Sequence, residues 1–202
     1  MSYFVFLEFL DPIVELTLRQ LRDALQPWKL SKSPVHVSVT GPYKHEPDLK
    51  TLQALGTHLQ YQGVRIFGHG VYANKERFSV FLRAESAVFK EIWWKPDFDT
   101  SLERSKPHLT MFESDDESSA RTALIFLRLA KVSILTHAVQ LGVYSRGSPD
   151  HIETKKSVGK IQYHSSSAIV DIDPEVISEA YVVGEELRQR RLELIASRRT
   201  DA

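Results

Sequence analysis

The chain has 202 residues, with 26 basic and 26 acidic side chains and a formal net charge of zero. This balance excludes a nucleic-acid-coating protein, which needs a basic excess to neutralise phosphates, and it excludes an acidic solvating tail. The hydrophobic fraction of 42% fits an ordinary soluble globular domain with an appendage. The absence of cysteine excludes disulfides, zinc-thiolate sites and a cysteine nucleophile.

The N-terminal segment, residues 3–9, is rich in aromatic and β-branched side chains, which predicts a first β-strand. It does not resemble a signal peptide, because it contains Glu8, has no basic segment and is followed by Asp11-Pro12 rather than by a small-residue cleavage site. No stretch of the chain reaches the roughly 18 apolar residues that a membrane span needs. We therefore expect a cytoplasmic protein without a membrane partner.

Strand-like and helix-like segments alternate through residues 1–145, which predicts one mixed α/β or α+β domain. Pro12 stands in the first turn of one helix, and Asp48 is a typical N-cap of the next. Period-two and helical apolar spacings give the remaining elements. In chain order, we predict strands at 3–9, 35–39, 64–73, 77–84, 107–112 and 134–144, and helices at 12–26, 48–60, 86–94 and 115–131. Thr40-Gly41-Pro42 is expected to end the second strand.

The rest of the chain has a different composition. Residues 146–167 are rich in Ser, Gly, Lys and His with little apolar periodicity, which predicts a polar loop or linker over 146–173. Residues 174–202 form a C-terminal segment with a predicted helix at 174–197. Because a single amphipathic helix usually covers its own domain, we expect a monomer, with self-association through this helix as the alternative.

Two tetrapeptides share the pattern His, apolar, hydroxyl, apolar: His36-Val37-Ser38-Val39 and His108-Leu109-Thr110-Met111. A proline precedes each one closely. Residues i and i+2 of a strand share one face, so each segment directs an imidazole and a hydroxyl to one side and buries its apolar neighbours on the other. His164-Ser165-Ser166 lacks the apolar positions, so we do not count it as a third copy.

With these motifs, the chain resembles the two-histidine (2H) phosphoesterases, a superfamily that includes RNA-ligase-like (LigT-like) and cyclic phosphodiesterase proteins. The resemblance covers residues 2–145 and includes the Thr40-Gly41-Pro42-Tyr43 turn and the strand end at Val143-Tyr144-Ser145. Motif one has Ser38 where threonine is commoner in the family. The resemblance implies a bilobal fold, in which two pseudo-symmetric lobes of antiparallel sheet with outer helices each contribute one motif to a central groove.

Two imidazoles facing one phosphate supply an acid and a base that both work near neutral pH. One histidine would deprotonate water or a ribose hydroxyl, and the other would protonate the departing oxygen. Ser38 and Thr110 would donate hydrogen bonds to the non-bridging oxygens. We therefore predict that His36, His108, Ser38 and Thr110 are the catalytic residues of a metal-independent phosphodiesterase without a cofactor. It would act on a 2′,3′-cyclic phosphate or a 2′-5′ linkage in a nucleotide or at an RNA terminus, and not on a long duplex.

Several alternatives remain open at this stage. The same scaffold would also suit a non-catalytic module that binds RNA ends or a signalling nucleotide. A zinc site is a competing use of two histidines, although no HExxH-type helix or third ligand at fixed spacing is present. Tyr43 and Lys44 directly follow motif one and are predicted to contact substrate, whereas Trp93 and Trp94 are weaker candidates for base stacking.

Overall fold

The computed structural model describes residues 2–29, 34–43, 45, 48–74, 77–89, 107–148, 151–157 and 168–200. In this part of the chain the protein is α+β, with nine strands and four helices. The strands are β1 (Ser2–Phe9), β2 (His36–Tyr43), β3 (Val64–Ala73), β4 (Phe78–Glu85), β5 (His108–Ser114), β6 (Ser133–Thr136), β7 (Val139–Ser148), β8 (His151–Ser157) and β9 (Ile169–Asp171). The helices are α1 (Pro12–Leu25), α2 (Leu49–Gln62), α3 (Glu117–Ala130) and α4 (Glu175–Thr200).

The strands form one sheet in the order β8-β7-β1-β2-β5-β4-β3-β6-β9. Each neighbouring pair in it is antiparallel. This confirms an α+β fold with an antiparallel sheet. The two strands that carry the histidine motifs, β2 and β5, are neighbours inside the sheet, although a hairpin and a helix separate them in sequence.

One face of the sheet is apolar and packs against α1, α2 and α3. Alternate residues of β1 and β3 point into this core, including Val5, Leu7 and Ile66, which are fully buried. Helix α1 begins where Asp11 accepts hydrogen bonds from the backbone N–H groups of Ile13 and Val14, at 2.8 and 3.2 Å. The period-two patterns seen in the sequence therefore reflect strands with one face on the helices.

Helix α4 packs against α1 and α3. Val176, Ala180 and Leu187 are the buried residues on its inner side. Gly184 lies so close to α1 that a Cβ there would be 1.8 Å from the backbone oxygen of Ala24. The C-terminal helix therefore covers its own domain, as one of the two sequence-based alternatives predicts. None of the helices within the described ranges is long and apolar enough to cross a membrane.

The polar loop or linker predicted over 146–173 is wrong for three segments, one of which is β9 (Ile169–Asp171), paired with β6. Residues 146–148 belong to β7, and residues 151–157 form β8, which pairs with β7 at the edge of the sheet. The domain boundary expected after residue 145 thus falls inside a strand. An edge strand pairs with one neighbour only and often carries charged side chains. It therefore does not need the alternation of apolar and polar residues by which the other strands were predicted.

Two other boundaries differ from the predictions. The strand expected at 134–144 is two strands, because the chain leaves β6 at Thr136 and enters β7 at Val139 in another part of the sheet. Strand β2 also continues to Tyr43, past the turn predicted at 40–42. A register shift between Tyr3 and Val5 of β1 accommodates the additional residues. Most of the helix predicted at 86–94 lies outside the described residues.

Candidate active site

The two histidine motifs lie side by side on the open face of the sheet. Ser38 on β2 and His108 on β5 are register partners. The apolar residues next to them in sequence are buried: Val35 just before β2, Val37 and Val39 on β2, and Leu109 and Met111 on β5. His36, Ser38, His108 and Thr110 are half-buried on the opposite face. The structure therefore brings together the four residues predicted to be catalytic.

His36 and His108 are diagonal neighbours, because His36 lies two residues before the register partner of His108. Diagonal neighbours on paired antiparallel strands are about 7–8 Å apart at Cα. The two rings are near enough for the charge of one to affect the other, since His108 lowers the pKa of His36.

The ring of His36 is held from two directions. It stacks on Phe6 of β1, with ring centroids 4.1 Å apart and an interplanar angle of 25°. Its Nδ1 lies 2.9 Å from the carbonyl oxygen of Pro34. A carbonyl only accepts, so Nδ1 carries the proton in this hydrogen bond. In the neutral ring, Nε2 then has a free lone pair and is able to accept a proton.

Several neighbours act on the pKa of His36, and the net effect lowers it below 6.5. Burial is the largest cause, and the charges of Arg22 and His108 act in the same direction. The hydrogen bond to Pro34 and the carboxylate of Glu8 oppose them. His36 is therefore mainly neutral at pH 7, the form that a general base requires.

Aromatic rings on β3 and β4 pack against His108. Tyr72 and Phe81 each have a ring centroid 4.9 Å from that of His108, and they stack on each other at 4.4 Å. The ring of Phe81 occupies the space beside Gly70, where a Cβ would be 2.5 Å from its Cζ. Gly70 is thus part of the support for His108.

Some candidates are not placed by the structure. Tyr43 ends β2 opposite Tyr3, but its side chain lies outside the described residues. Lys44, Trp93 and Trp94 also lie outside them. Contact of Tyr43 and Lys44 with substrate, and base stacking by the two tryptophans, remain predictions.

Sequence reasoning missed the residues that support the two histidines: Phe6, Glu8, Tyr72, Phe81 and Tyr144. The period-two pattern of β1 places Phe6 and Glu8 on one face of that strand, and Gly70 inside β3 indicates a close approach by a neighbour. Neither signal identifies which strand lies next to β1 or β3. That information comes from the strand order alone.

A cavity of about 380 Å³ lies away from the histidines, between the end of α1, the end of β5 and α4. Its charged groups are largely paired, because Glu113 contacts both Lys29 and Arg77 at 2.7 Å and Arg198 contacts Asp115 at 3.0 Å. Within the described ranges, no group of three His, Asp or Glu residues is arranged to hold a metal ion.

A scan against protein-family models finds no matching family, and a search of curated proteins finds no significant match.

Proposed function

We propose that this protein is a metal-independent phosphodiesterase of the two-histidine type. Its substrate would be a 2′,3′-cyclic phosphate or a 2′-5′ phosphodiester in a nucleotide or short RNA. The observation that carries the proposal is the Ser38–His108 register pair, which places two imidazoles and two hydroxyls on one face of the sheet. We also propose that the sheet is bilobal, with β8-β7-β1-β2 in one lobe and β5-β4-β3-β6-β9 in the other.

In the proposed hydrolysis of a cyclic phosphate, His36 is the general base. Its Nε2 takes a proton from water as the water oxygen attacks phosphorus. Protonated His108 donates its proton to the ribose oxygen as the phosphorus–oxygen bond breaks, so the ring opens to a phosphomonoester. The hydroxyls of Ser38 and Thr110 donate hydrogen bonds to the non-bridging oxygens, where charge develops in the transition state. The same groups act in reverse roles for ligation.

The test is a comparison of His36→Ala and His108→Ala with wild-type protein on 2′,3′-cyclic nucleotides and 2′-5′ dinucleotides. Loss of a general acid or base is expected to lower turnover by roughly 10²–10⁴-fold. His58→Ala, which changes an exposed histidine of α2, is the matched control and should retain full activity. Activity should also survive a chelator.

Full activity in either motif variant would contradict the proposal. Binding of the nucleotides to wild-type protein without any product would instead support the non-catalytic binding module. Circular dichroism of each variant shows whether a loss of activity reflects a loss of fold.

A further inference from the structure

Glu8 is a buried carboxylate directly beside the proposed active site. It is 4% exposed, and among the described residues no other charged side chain is buried to this degree. On β1 it is the register partner of His36 on one side and of Gln140 on the other. Register partners in an antiparallel sheet share a face, so Glu8 and His36 lie next to each other on the open face.

Both carboxylate oxygens of Glu8 accept hydrogen bonds from β7. The hydroxyl of Tyr144 donates to Oε1, and Nε2 of Gln140 donates to Oε2 at 2.7 Å. Burial, and then the hydrogen bond to Glu8 and its charge, raise the pKa of Tyr144, so the hydroxyl keeps its proton as a donor. Gly142 leaves room for this arrangement, because a Cβ there would be 3.1 Å from Cε2 of Tyr144.

Tyr144 and Gln140 hold the carboxylate on the open face of the sheet, and His36 is a titratable group that faces it across the strand pair. Among the described residues, the charged groups that act on His36 are Arg22 from α1, His108 from β5 and Glu8 from β1. The first two disfavour a protonated ring, whereas Glu8 favours it.

We propose that Glu8 is a positioning residue for His36, fixed by Tyr144 and Gln140, and that its negative charge stabilises the imidazolium formed when His36 takes a proton. This inference rests on the proposed function, in which His36 gains and loses a proton in each cycle. Phe6 contributes to the same assembly, since its ring lies between those of His36 and Tyr144, at 4.1 and 4.8 Å.

The test is Glu8→Gln, which keeps the shape of the side chain and its hydrogen bond from Tyr144 while removing the charge. The titration of the His36 ring is followed by NMR, with the signal assigned through His36→Ala. Loss of a neighbouring negative charge disfavours the protonated ring, so its midpoint should fall by roughly one pH unit. The acid limb of kcat/KM should move to lower pH by the same amount.

Glu113→Gln is the matched control. It removes a carboxylate from β5 that pairs with Lys29 and Arg77 at the far end of that strand. The His36 midpoint should not move in this variant. An unchanged midpoint in Glu8→Gln, or an equal shift in both variants, would overturn the proposal. Because the titration needs no turnover, a shift in a protein that hydrolyses no phosphodiester would reject the proposed function and leave the Glu8–His36 coupling intact.

Two variants with a shorter side chain at position 8 are used if Glu8→Gln does not fold. Glu8→Asp and Glu8→Asn are equal in length and differ in charge, so the midpoint should be lower in the Asn protein by a similar amount. Equal midpoints would overturn the proposal. If both neutral variants fail to fold while Glu8→Asp folds, the carboxylate serves folding instead, and the proposal is also overturned.

Discussion

The protonation state of His36 depends on its immediate neighbours rather than on the imidazole alone. Phe6 covers one face of the ring and contributes to its burial, the largest influence on its pKa. Burial and Glu8 act in opposite directions. The pKa of His36 therefore depends on an aromatic ring and a carboxylate two residues apart on β1, together with the Pro34 hydrogen bond and the charges of Arg22 and His108.

Removing the Phe6 ring should shift the His36 titration in the direction opposite to that expected for Glu8→Gln. In Phe6→Ala, water reaches the imidazole, so its pKa should rise towards 6.5 and the acid limb of kcat/KM should move to higher pH. The lowered pKa also makes the native state less stable as pH falls below 6.5, because the unfolded chain then binds more protons. This dependence should weaken in the variant, and both effects are measurable by NMR titration and by denaturation at several pH values.

Phe4→Ala is the matched control for this experiment. Phe4 lies on the same face of β1, and its ring packs on Phe6 at 6.0 Å. Both substitutions remove an aromatic ring; Phe6 is buried and Phe4 half-buried, so the Phe6→Ala change should cost about 3–5 kcal/mol of stability and the Phe4→Ala change less. A His36 midpoint that moves equally in the two variants would show that general loosening of β1, and not the stacked ring, sets the pKa.

At the scale of secondary structure, the contact between α1 and α4 depends on one small residue. A Cβ at position 184 would lie 1.8 Å from the backbone oxygen of Ala24, and a backbone atom cannot rotate away. Gly184→Ala should therefore separate the two helices. We expect a loss of about 1–3 kcal/mol in the free energy of unfolding, typical of overpacking, even though alanine is the better helix former.

Ser178→Ala serves as the control. Ser178 is exposed on the same helix, so alanine at this position increases helix propensity without a clash. Chemical denaturation of both variants measures the difference. An unchanged or increased stability of Gly184→Ala would mean that α4 does not approach α1 so closely. Whether α4 also mediates self-association stays a separate prediction.

The strands with one buried and one open face were predictable from the sequence, because apolar and polar residues must alternate along such a strand. Strands β2 and β5 show this alternation, and it identified His36, Ser38, His108 and Thr110. The edge strand β8 has no such requirement and was missed. Only His137 and Ala138 connect β6 to β7, and neither is a glycine or proline, so the change of position in the sheet left no turn signal. The partner of Glu8 was also hidden, since Tyr144 is 136 residues away along the chain.

At the scale of the whole molecule, the balanced charge bears on the size of the proposed substrate. The formal net charge is zero, and the two imidazoles and two hydroxyls of the site add nothing to that count. Affinity for a long nucleic acid comes from many lysine and arginine contacts to phosphates, each of which releases counterions. A site that neutralises one phosphodiester lacks this source of affinity and should prefer a nucleotide or an RNA end.

The prediction is that binding depends only weakly on salt. Contact with one or two phosphates of a single strand gives a slope of log K against log salt of about −0.7 to −1.4, whereas a protein contacting 6–10 phosphates of a duplex loses roughly 10³–10⁵ in affinity between 50 and 200 mM salt. The measurement is the Kd of the His108→Ala variant for 2′,3′-cyclic-ended RNAs of one, two, four and eight nucleotides over this salt range. Affinity should level off after the first one or two nucleotides. A slope that steepens with each added nucleotide would contradict the prediction. Such a slope would mean that each new phosphate meets a basic residue, and hence that the basic residues of the protein are concentrated on one surface.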